Sequence, residues 1–524
     1  MSSYSRRDFV GDSTTLAVGA MIVPRHLRGA LSTHTPATHA PSAKLNIACV
    51  GIGGMGMSNM AMMTGENIVA VCDVDFPYVE RGIWGRMHPA KGEPTASAIA
   101  LSDAYTKAAK YSDFRVMLDQ QKNIDAVLIA TPDHMHASIA YRAMSLKKHV
   151  YVQKPLTYSV YEARLLAKTA RETGVVTQMG NQGHSSEGTR RINELIASGV
   201  IGKVHEVHVW TDRPVGYWAQ GIPRPTNVNA APTATVAPSS STTPAAAPPP
   251  PWPGPTPPRQ WNQRTVDRAT LAAMTSTQQS PPQGLEWDLY LGAAQEIPYH
   301  PAYHPFSWRG WTDFGVGAIG DMGAHLIDQP FWALGLDYPT SISASSSPWG
   351  GNANNPSTYP MATLVQYEFA ARGSQPPVKL YWYDGGLMPP RPAQLPDDVV
   401  LPRGDGGGGV FIGEKGILTY STYGNEPKLY PEAVAKKAER VSKTFARVDM
   451  PHEHNWIAAC KGEVAVSSPF EYAAKLTETM LLGIVALKTG QGRKLYYDGA
   501  NMKVTNIPEA NALLTRVYRK GWEL

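Results

Sequence analysis

Three side chains of this sequence have the types and spacing that oxidation of a secondary alcohol requires. Asp321 and His325 are four residues apart, so in a helix they share a face on which the carboxylate can orient the imidazole and raise its basicity. Lys154 follows an apolar run, and a lysine in a buried cationic neighbourhood can shuttle a proton. Spacing alone equally allows Asp321 to cap a helix and His325 to be a satisfied core histidine.

A glycine-rich turn indicates where a nucleotide would bind. The apolar residues 45–50 lead into Gly51-Ile52-Gly53-Gly54-Met55-Gly56, a GxGxxG motif. The first glycine permits a tight turn, the second lets the backbone approach a pyrophosphate, and the third lets the following helix pack on the strand. The motif alone is weak, and its value depends on the elements that follow it.

An aspartate follows the next apolar run at the expected place. Residues 68–72 end at Asp73, about 20 residues after the turn, where a Rossmann domain has its ribose-binding acid. A carboxylate there accepts hydrogen bonds from the ribose hydroxyls and repels a 2'-phosphate. We therefore predict NAD as the cofactor, with NADP as the alternative; the competing interpretation of Asp73 is a loop or cap residue.

Two further apolar runs extend the same pattern. Residues 126–130 lead to Thr131-Pro132-Asp133-His134-Met135-His136, and 149–152 lead to Gln153-Lys154-Pro155. Repeated strand, loop and helix units give a parallel sheet with ligands at the strand C-termini, so Lys154 would meet the nicotinamide. The predicted cofactor-binding residues are Gly51, Gly53, Gly54, Met55, Gly56, Asp73, Thr131, Pro132, His136, Gln153, Lys154 and Asn181.

These motifs resemble those of the glucose-fructose oxidoreductase and inositol dehydrogenase family (Gfo/Idh/MocA). The resemblance continues in Met179-Gly180-Asn181-Gln182-Gly183-His184, in residues 308–315 and in Gly320-Asp321-Met322-Gly323-Ala324-His325. It implies an α/β protein: an N-terminal Rossmann domain with a parallel sheet, and a C-terminal α/β domain with an open, mostly antiparallel sheet whose bare face supports homo-oligomers. The family's usual Glu-Lys-Pro is Gln153-Lys154-Pro155 here, which replaces a charge by a neutral amide beside Lys154.

The resemblance also implies roles for single residues. It assigns Lys154, Asp321 and His325 to catalysis, with His325 as the base and Lys154 polarising the substrate oxygen. We predict that His184, Trp308 and Arg309 contact a carbohydrate substrate, and burial in the core is the competing interpretation. A metal site would need His134 and His136 with His300 or His304, but no three ligands share a defined element, so we predict no catalytic metal.

The composition excludes several classes of protein. The 524 residues, 43% hydrophobic and 17% charged, describe a globular chain of two or three domains and exclude a disordered, collagen-like or coiled-coil one. The net charge of +5 is scattered, so we predict no nucleic-acid partner. Three cysteines without CxxC spacing are interpreted as core residues.

The ends and the middle of the chain differ from the rest in composition. Ser5-Arg6-Arg7-Asp8-Phe9-Val10 and the apolar residues 16–23, too few to span a membrane, resemble a twin-arginine export signal. We predict a leader at 1–43, a Rossmann domain at 44–156 and a substrate and oligomerisation domain at 157–524, with a disordered Pro-rich insertion at about 226–280. We also predict a turn at the glycine run 404–409, a helix from Phe470 and a terminal helix at 510–524 anchored by Tyr518 and Trp522.

Three functions are compatible with these residues. The first is a periplasmic or otherwise exported NAD(P)-dependent oxidoreductase that transfers hydride between a sugar, cyclitol or glycoside hydroxyl and a tightly bound nicotinamide. The second is a redox-neutral glycosidase, which oxidises a ring hydroxyl transiently, eliminates the aglycone, adds water and returns the hydride; His184 is its candidate extra base. The third is a non-catalytic periplasmic sugar-binding protein, which the Asp321 and His325 pair disfavours.

Overall fold

The computed structural model of this protein describes residues 44–225, 280–352, 355–403 and 406–524. The predicted leader at 1–43, with its twin-arginine motif, lies outside the described residues, as does nearly all of the predicted insertion, 226–279. The described residues belong to one compact unit.

The first sheet has six parallel strands in the order β3-β2-β1-β4-β5-β6. Its strands are Asn46–Val50 (β1), Asn67–Cys72 (β2), Ala109–Tyr111 (β3), Ala126–Ile129 (β4), His149–Val152 (β5) and Thr177–Met179 (β6). Its helices are Met55–Met62 (α1), Phe76–Met87 (α2), Ala96–Lys107 (α3), Phe114–Gln120 (α4), His136–Ser145 (α5) and Val160–Thr173 (α6). The central strands are apolar throughout because helices cover both faces of a parallel sheet.

The second sheet is mixed and mostly antiparallel, with nine strands in the order β15-β14-β13-β7-β12-β11-β8-β16-β17, in which β7 and β12 pair in parallel. Its strands are Val204–Thr211 (β7), Ser341–Ser346 (β8), Thr363–Phe369 (β11), Val378–Tyr383 (β12), Gly407–Gly413 (β13), Ile417–Ser421 (β14), Asn425–Tyr430 (β15), Lys494–Asp498 (β16) and Lys503–Val504 (β17). Gly350–Asn352 (β9) and Asn355–Thr358 (β10) form a separate hairpin. The two sheets confirm the predicted fold class.

Helices join the two sheets into one core. The remaining helices are Glu187–Ala197 (α7), Trp287–Leu291 (α8), Gly317–Leu326 (α9), Asp328–Ala333 (α10), Glu432–Ala438 (α11), His452–Cys460 (α12) and Phe470–Thr489 (α13). The apolar face of α13 packs against α6 of the first domain and β8 of the second. One hydrophobic cluster therefore contains Val152 of the first sheet, Val207 of the second and Leu482 of α13.

The parallel sheet is larger than its apolar runs predict. The strand β3 has the sequence Ala-Lys-Tyr, which is too short and polar to stand out, and β6 extends the sheet to Met179. The sheet thus continues beyond the predicted domain boundary at residue 156.

Two local predictions are wrong. Residues 510–524 form no α-helix: a 3-10 helix, Pro508–Leu514, is followed by a segment without helix or strand, although Tyr518 and Trp522 do anchor it. The prediction of a turn at 404–409 is wrong for Gly407 to Gly409, which belong to β13, while 404 and 405 lie outside the described residues. The strand packs so closely there that a Cβ on Gly409 would lie 2.2 Å from the Tyr420 ring. No helix among the described residues is long and apolar enough to cross a membrane.

Candidate functional site

A cavity of about 390 Å³ lies at the carboxyl ends of β1, β2, β4 and β5. Residues of both domains line it, as expected for a site at the strand ends of a parallel sheet. The predicted site residues that line it are Gly51, Gly53, Gly54, Met55, Asp73, Thr131, Pro132, Gln153, Lys154, Trp308, Arg309 and Asp321. The predicted residues Gly56, His136, Asn181, His184 and His325 lie outside its lining.

The glycine turn has the geometry that a dinucleotide needs. Gly51 has a φ of +77°, and a Cβ there would lie 2.6 Å from the Thr131 backbone nitrogen. A Cβ on Gly56 would lie 2.0 Å from the Gly51 carbonyl oxygen, so only glycine lets α1 approach β1. Gly53 and Gly54 then face the cavity at the start of α1, where backbone amides bind phosphate. These residues fit a bound NAD.

Asp73 closes the same turn from β2. Its Oδ2 accepts a hydrogen bond from the Ile52 backbone N–H at 2.7 Å, and its Oδ1 accepts one from Asp75 at 3.0 Å. Burial raises the pKa of Asp73 to about 6, while the Asp75 amide and the nearby His304 oppose that rise. The carboxylate thus joins the turn to the cavity wall, where a ribose would lie.

The opposite end of the cavity is charged. The Lys154 Nζ donates to the Asp321 Oδ1 at 2.7 Å and to the Asp321 backbone oxygen at 2.8 Å. The Arg309 Nε lies 3.3 Å from the same Oδ1, and its guanidinium carbon is 4.2 Å from the centroid of the Trp308 ring. Burial alone would raise the pKa of Asp321, but Lys154 and Arg309 hold it well below its usual value. This network joins β5, the loop before α9 and α9 itself.

His325 lies one turn beyond Asp321 on α9, as predicted. The two side chains are not hydrogen-bonded: the Oδ1 of Asp321 contacts Lys154 and Arg309 instead, so Asp321 does not orient the imidazole directly, although its charge acts to raise the pKa of His325. The Nδ1 of His325 has no hydrogen-bond partner among the described residues, and the Tyr423 ring packs edge-on at 4.8 Å. Burial, followed by repulsion from Lys154, lowers the pKa of His325 to about 3, so the imidazole is neutral at pH 7.

Gln153 is the first residue of a buried relay. Its Nε2 donates to the Asn59 Oδ1 at 2.9 Å, and the Asn59 Nδ2 donates to the Glu453 Oε1 at 2.7 Å. A carboxylate is therefore present behind Lys154, but it is supplied by α12 and reaches Gln153 through an asparagine. Nothing in the residues around Gln153 indicates this arrangement, since Glu453 lies 394 residues beyond Asn59 along the chain.

Asn181, which follows β6, has an unusual environment. Its side chain is 0% exposed, and both its amide nitrogen and its amide oxygen lack hydrogen-bond partners in the described protein. A buried polar group without a partner costs roughly 1–3 kcal/mol. Gly180 beside it packs on the Gln153 amide, where a Cβ would lie 2.8 Å away.

His184 belongs to a separate buried cluster. Its Nδ1 lies 3.0 Å from both oxygens of Asp328, and its ring stacks on Trp332 at 4.2 Å. The Tyr472 hydroxyl also donates to Asp328, at 2.6 Å. The cluster is buried and does not line the cavity, so its contacts by themselves are those of a core histidine paired with a carboxylate.

The four histidines considered for a metal lie in different places. His136 contacts the backbone oxygens of Pro155 and Thr131 through its two ring nitrogens, and His134 contacts that of Tyr290. His304 pairs with Asp75 at 2.7 Å, and His300 bonds to the Ala302 amide. No group of three or more His, Cys, Asp or Glu side chains within the described ranges could hold a metal ion.

The structure adds residues that the motifs did not predict. Tyr78 covers Gly53, where a Cβ would lie 2.6 Å from its ring, and Trp522 and Phe114 line the far end of the cavity. Asp133 accepts a hydrogen bond from the Val316 amide just before α9, and burial raises the pKa of Asp133 to about 7 despite Arg309 and Lys154. Only Asp133 lay within a recognised motif.

Two family models match the chain. Residues 45–181 match the NAD-binding Rossmann fold of the GFO_IDH_MocA oxidoreductase family, and residues 256–354 match the C-terminal alpha/beta domain of the same family. The first match ends just after β6, in agreement with the extent of the parallel sheet.

Curated relatives are similar over part of their length. An inositol 2-dehydrogenase of Salmonella paratyphi B is 26% identical over 170 residues, which are 31% of this chain and 45% of that protein. A 2,7-anhydro-N-acetylneuraminate hydratase of Escherichia coli is 32% identical over 91 residues, 17% of this chain and 24% of that protein. The chain therefore spans less than half the length of these relatives.

A solved structure extends the likeness in fold. The WlbA dehydrogenase of Chromobacterium violaceum, solved with NADH and UDP-GlcNAcA, covers 89% of this chain and 99% of its own, with a TM-score of 0.51 and 14% identity. At that identity the match concerns the fold alone.

Proposed function

We propose that this protein is an NAD-dependent oxidoreductase that acts on a hydroxyl of a sugar, cyclitol or glycoside, because residues 45–181 and 256–354 match the two domain models of the GFO_IDH_MocA oxidoreductase family. The observation that carries the proposal is the Lys154 and Asp321 ion pair, 2.7 Å long, in the cavity that begins at the glycine turn. When bound, NAD supplies a hydride acceptor. The side chains of the cavity bind it and handle the proton of the hydroxyl.

Different residues along the cavity bind different parts of the cofactor. The amides at the start of α1, beside Gly53 and Gly54, hold the pyrophosphate. Asp73 accepts from the ribose hydroxyls and repels a 2'-phosphate, which favours NAD over NADP. Asn181 lies outside the cavity lining, next to Gly180, which packs on the Gln153 amide; this position beside the nicotinamide end supports its assignment to cofactor binding.

Lys154 polarises the oxygen of the substrate. An ammonium has three donors, and Lys154 uses two of them on Asp321, so the third is available to a substrate hydroxyl. Asp321 and Arg309 keep that ammonium in position. The resemblance assigns the removal of the hydroxyl proton to the neutral imidazole of His325, which lies one turn beyond Asp321 on α9 and outside the cavity lining.

A redox-neutral glycosidase is the second candidate. It needs one more base beside the carbon next to the oxidised position, and we assign that role to His184, which pairs with Asp328 in a buried cluster outside the cavity lining. The name of one relative, a hydratase, is in keeping with chemistry that adds water. The non-catalytic sugar-binding protein is the third candidate, and the cost of holding Lys154 and Asp321 together in a cavity argues against it.

The first experiment identifies the cofactor and the net reaction together. The protein is purified from an export-competent host, any nucleotide released on denaturation is identified by mass spectrometry, and fresh protein is incubated with free sugars and aryl glycosides without added NAD. Bound nucleotide with a keto sugar supports the oxidoreductase, and aglycone release supports the glycosidase. No nucleotide and no binding of added NAD would contradict both.

Variants test the assignment of roles. We expect Lys154→Ala and His325→Ala to abolish turnover while the nucleotide stays bound, because neither side chain is needed to hold the pyrophosphate or ribose. Normal turnover by both variants would contradict the catalytic assignment.

Export and assembly belong to the same proposal. The twin-arginine motif at Arg6-Arg7 supports transport of the folded protein to the periplasm with its nucleotide already bound. A tightly bound cofactor suits a compartment without a cytosolic NAD(H) supply. The wide second sheet supports a homo-oligomer.

A further inference from the structure

We propose that residues 515–522, which we name the strap, close the adenine end of the nucleotide cavity through Trp522 and so control how fast the cofactor leaves. This inference rests on the proposed function, since it assigns a second role within the same cavity. It concerns the recognition of a purine ring and the retention of a dinucleotide, not the chemical step.

The position of Trp522 identifies the end of the cavity that it closes. Trp522 lines the cavity together with Asp73, which follows β2, and with Ser112 and Phe114, which follow β3. In a Rossmann sheet the ribose acid follows the second strand, so the adenine lies beyond it, on the side of β3. Trp522 thus lies at the adenosine end of the cavity, whereas Lys154 lies at the nicotinamide end.

The adenine end is apolar and aromatic. Ile139 of α5 and Leu289 of α8 complete its lining beside Phe114 and Trp522. The Phe114 and Trp522 ring centroids are 6.3 Å apart, and the Arg115 guanidinium lies 4.1 Å from the Trp522 ring centroid. An aromatic ring held in place in this way can stack on a purine base. Stacking does not depend on the identity of the base, because every base has a π-face.

Hydrogen bonds outside any helix or strand fasten the strap, and most of them come from its side chains, beside one from the Arg519 backbone N–H to the Ala293 oxygen at 3.3 Å. The Arg519 Nε donates to the Gly292 backbone oxygen at 2.9 Å, and its Nη2 donates to that of Asp288 at 2.7 Å. The Arg516 Nη1 donates to the His134 backbone oxygen at 3.1 Å, and the Tyr518 hydroxyl donates to Glu162 at 2.8 Å. No helix or strand covers residues 515–524.

This construction suits a closure that opens slowly and locally. A segment without a hydrogen-bonded ladder opens at a lower free energy than the sheet beneath it, so the strap can release without unfolding either domain. The strap is fastened to His134, in the turn after β4 of the first domain, and to Gly292, in the loop after α8. It therefore contacts both domains. The rate of opening would then limit nucleotide release.

The test measures nucleotide retention instead of turnover. NADH is loaded on the full-length protein, chased with excess NAD, and its release is followed by fluorescence for Trp522→Ala, Trp522→Phe, Arg519→Met and a matched control, Val517→Ala. Val517 lies in the strap but is 79% exposed. We expect Trp522→Ala and Arg519→Met to release NADH roughly tenfold faster or more, since base–aromatic stacking changes affinity by about that factor. Trp522→Phe and Val517→Ala should remain near the wild-type rate.

A second measurement avoids the variants altogether. Hydrogen exchange of the strap amides in the wild-type protein should slow when NAD is added, because the bound base holds Trp522 in place. Unchanged exchange, or a release rate unchanged or slower in a folded Trp522→Ala protein, overturns the strap while leaving NAD binding intact. Failure of the wild-type protein to bind any NAD overturns the strap and the proposed function together.

Discussion

At the scale of single residues, the relay behind Lys154 depends on the order of its donors and acceptors. Gln153 donates to Asn59, which donates to Glu453. We expect Gln153→Glu to destabilise the protein by about 1–3 kcal/mol, because a carboxylate at 153 has no donor to give and leaves one buried oxygen unsatisfied. Urea unfolding of the two proteins measures the difference.

The double variant Gln153→Glu with Glu453→Gln is the matched control. If the Asn59 amide turns over, Asn59 donates to residue 153 and accepts from residue 453, so the relay runs in the opposite direction with every group paired. The double variant should therefore recover most of the stability that either single variant loses. Additive losses would contradict a coupled relay.

His452 makes the stability of the protein depend on pH. Its Nε2 donates to the Met179 backbone oxygen at 2.8 Å, its Nδ1 accepts from the Ser185 hydroxyl at 2.6 Å, and burial lowers the pKa of His452 to about 4. An unfolded histidine titrates near 6.5, so between about pH 6.5 and 4 the unfolded chain binds a proton that the folded chain does not. The stabilising contribution is complete above pH 6.5 and is lost as the pH falls.

His452→Gln isolates this effect, since a glutamine amide can accept from the Ser185 hydroxyl and donate to the Met179 backbone oxygen but does not titrate. We expect the wild type to lose about 1.2 kcal/mol more than the variant between pH 6 and 5, because unfolding takes up nearly one proton more in that range. The buried Asp133 and Asp384 also titrate, near pH 7, but are common to both proteins and cancel in the difference. Parallel stability curves from urea unfolding at several pH values would show that His452 does not titrate in this way.

At the scale of elements, the packing of α1 on β1 depends on one glycine. A Cβ on Gly56 would lie 2.0 Å from the Gly51 carbonyl oxygen, whereas one on Gly54 meets no atom within 4 Å. We expect Gly56→Ser to destabilise the protein by about 3 kcal/mol through overpacking, and Gly54→Ser to change its stability by less than about 0.5 kcal/mol. Thermal unfolding of both variants checks this, and equal losses would mean that the turn can shift to admit a side chain.

The same turn explains why some elements were predictable and others were not. The glycines, Asp73 and the apolar runs act through local backbone geometry, so their spacing alone predicted β1, β2 and the cofactor end of the cavity. Glu453, Tyr78 and Phe114 act through contacts between separate segments, for which one sequence has no local signal. The short β3 and the glycines of β13 have low intrinsic β-strand propensity. They are stabilised as strands by their neighbours in the sheet.

At the scale of the whole molecule, the cavity couples the stability of both domains to the cofactor. Gly53 and Asp73 line it from the Rossmann domain, whereas Trp308 and Leu289 line it from the second. We expect NAD at a hundred times its dissociation constant to raise the free energy of unfolding by about 2.7 kcal/mol and to shift a single transition to a higher temperature. Two transitions, only one of which moves, would mean that the domains unfold independently.

NADP should give a much smaller shift at the same concentration, because its 2'-phosphate would meet the Asp73 carboxylate. Asp73→Asn is the matched variant, since it removes the charge but keeps one oxygen to accept from the Ile52 or the Asp75 amide. Asp73→Ala would leave both amides unpaired and lower the stability of the free protein as well. In calorimetric scans with each nucleotide, the difference between the unfolding-temperature shifts caused by NAD and by NADP should be smaller for Asp73→Asn than for the wild type. Equal shifts by the two nucleotides in the wild type would mean that the ribose lies away from Asp73.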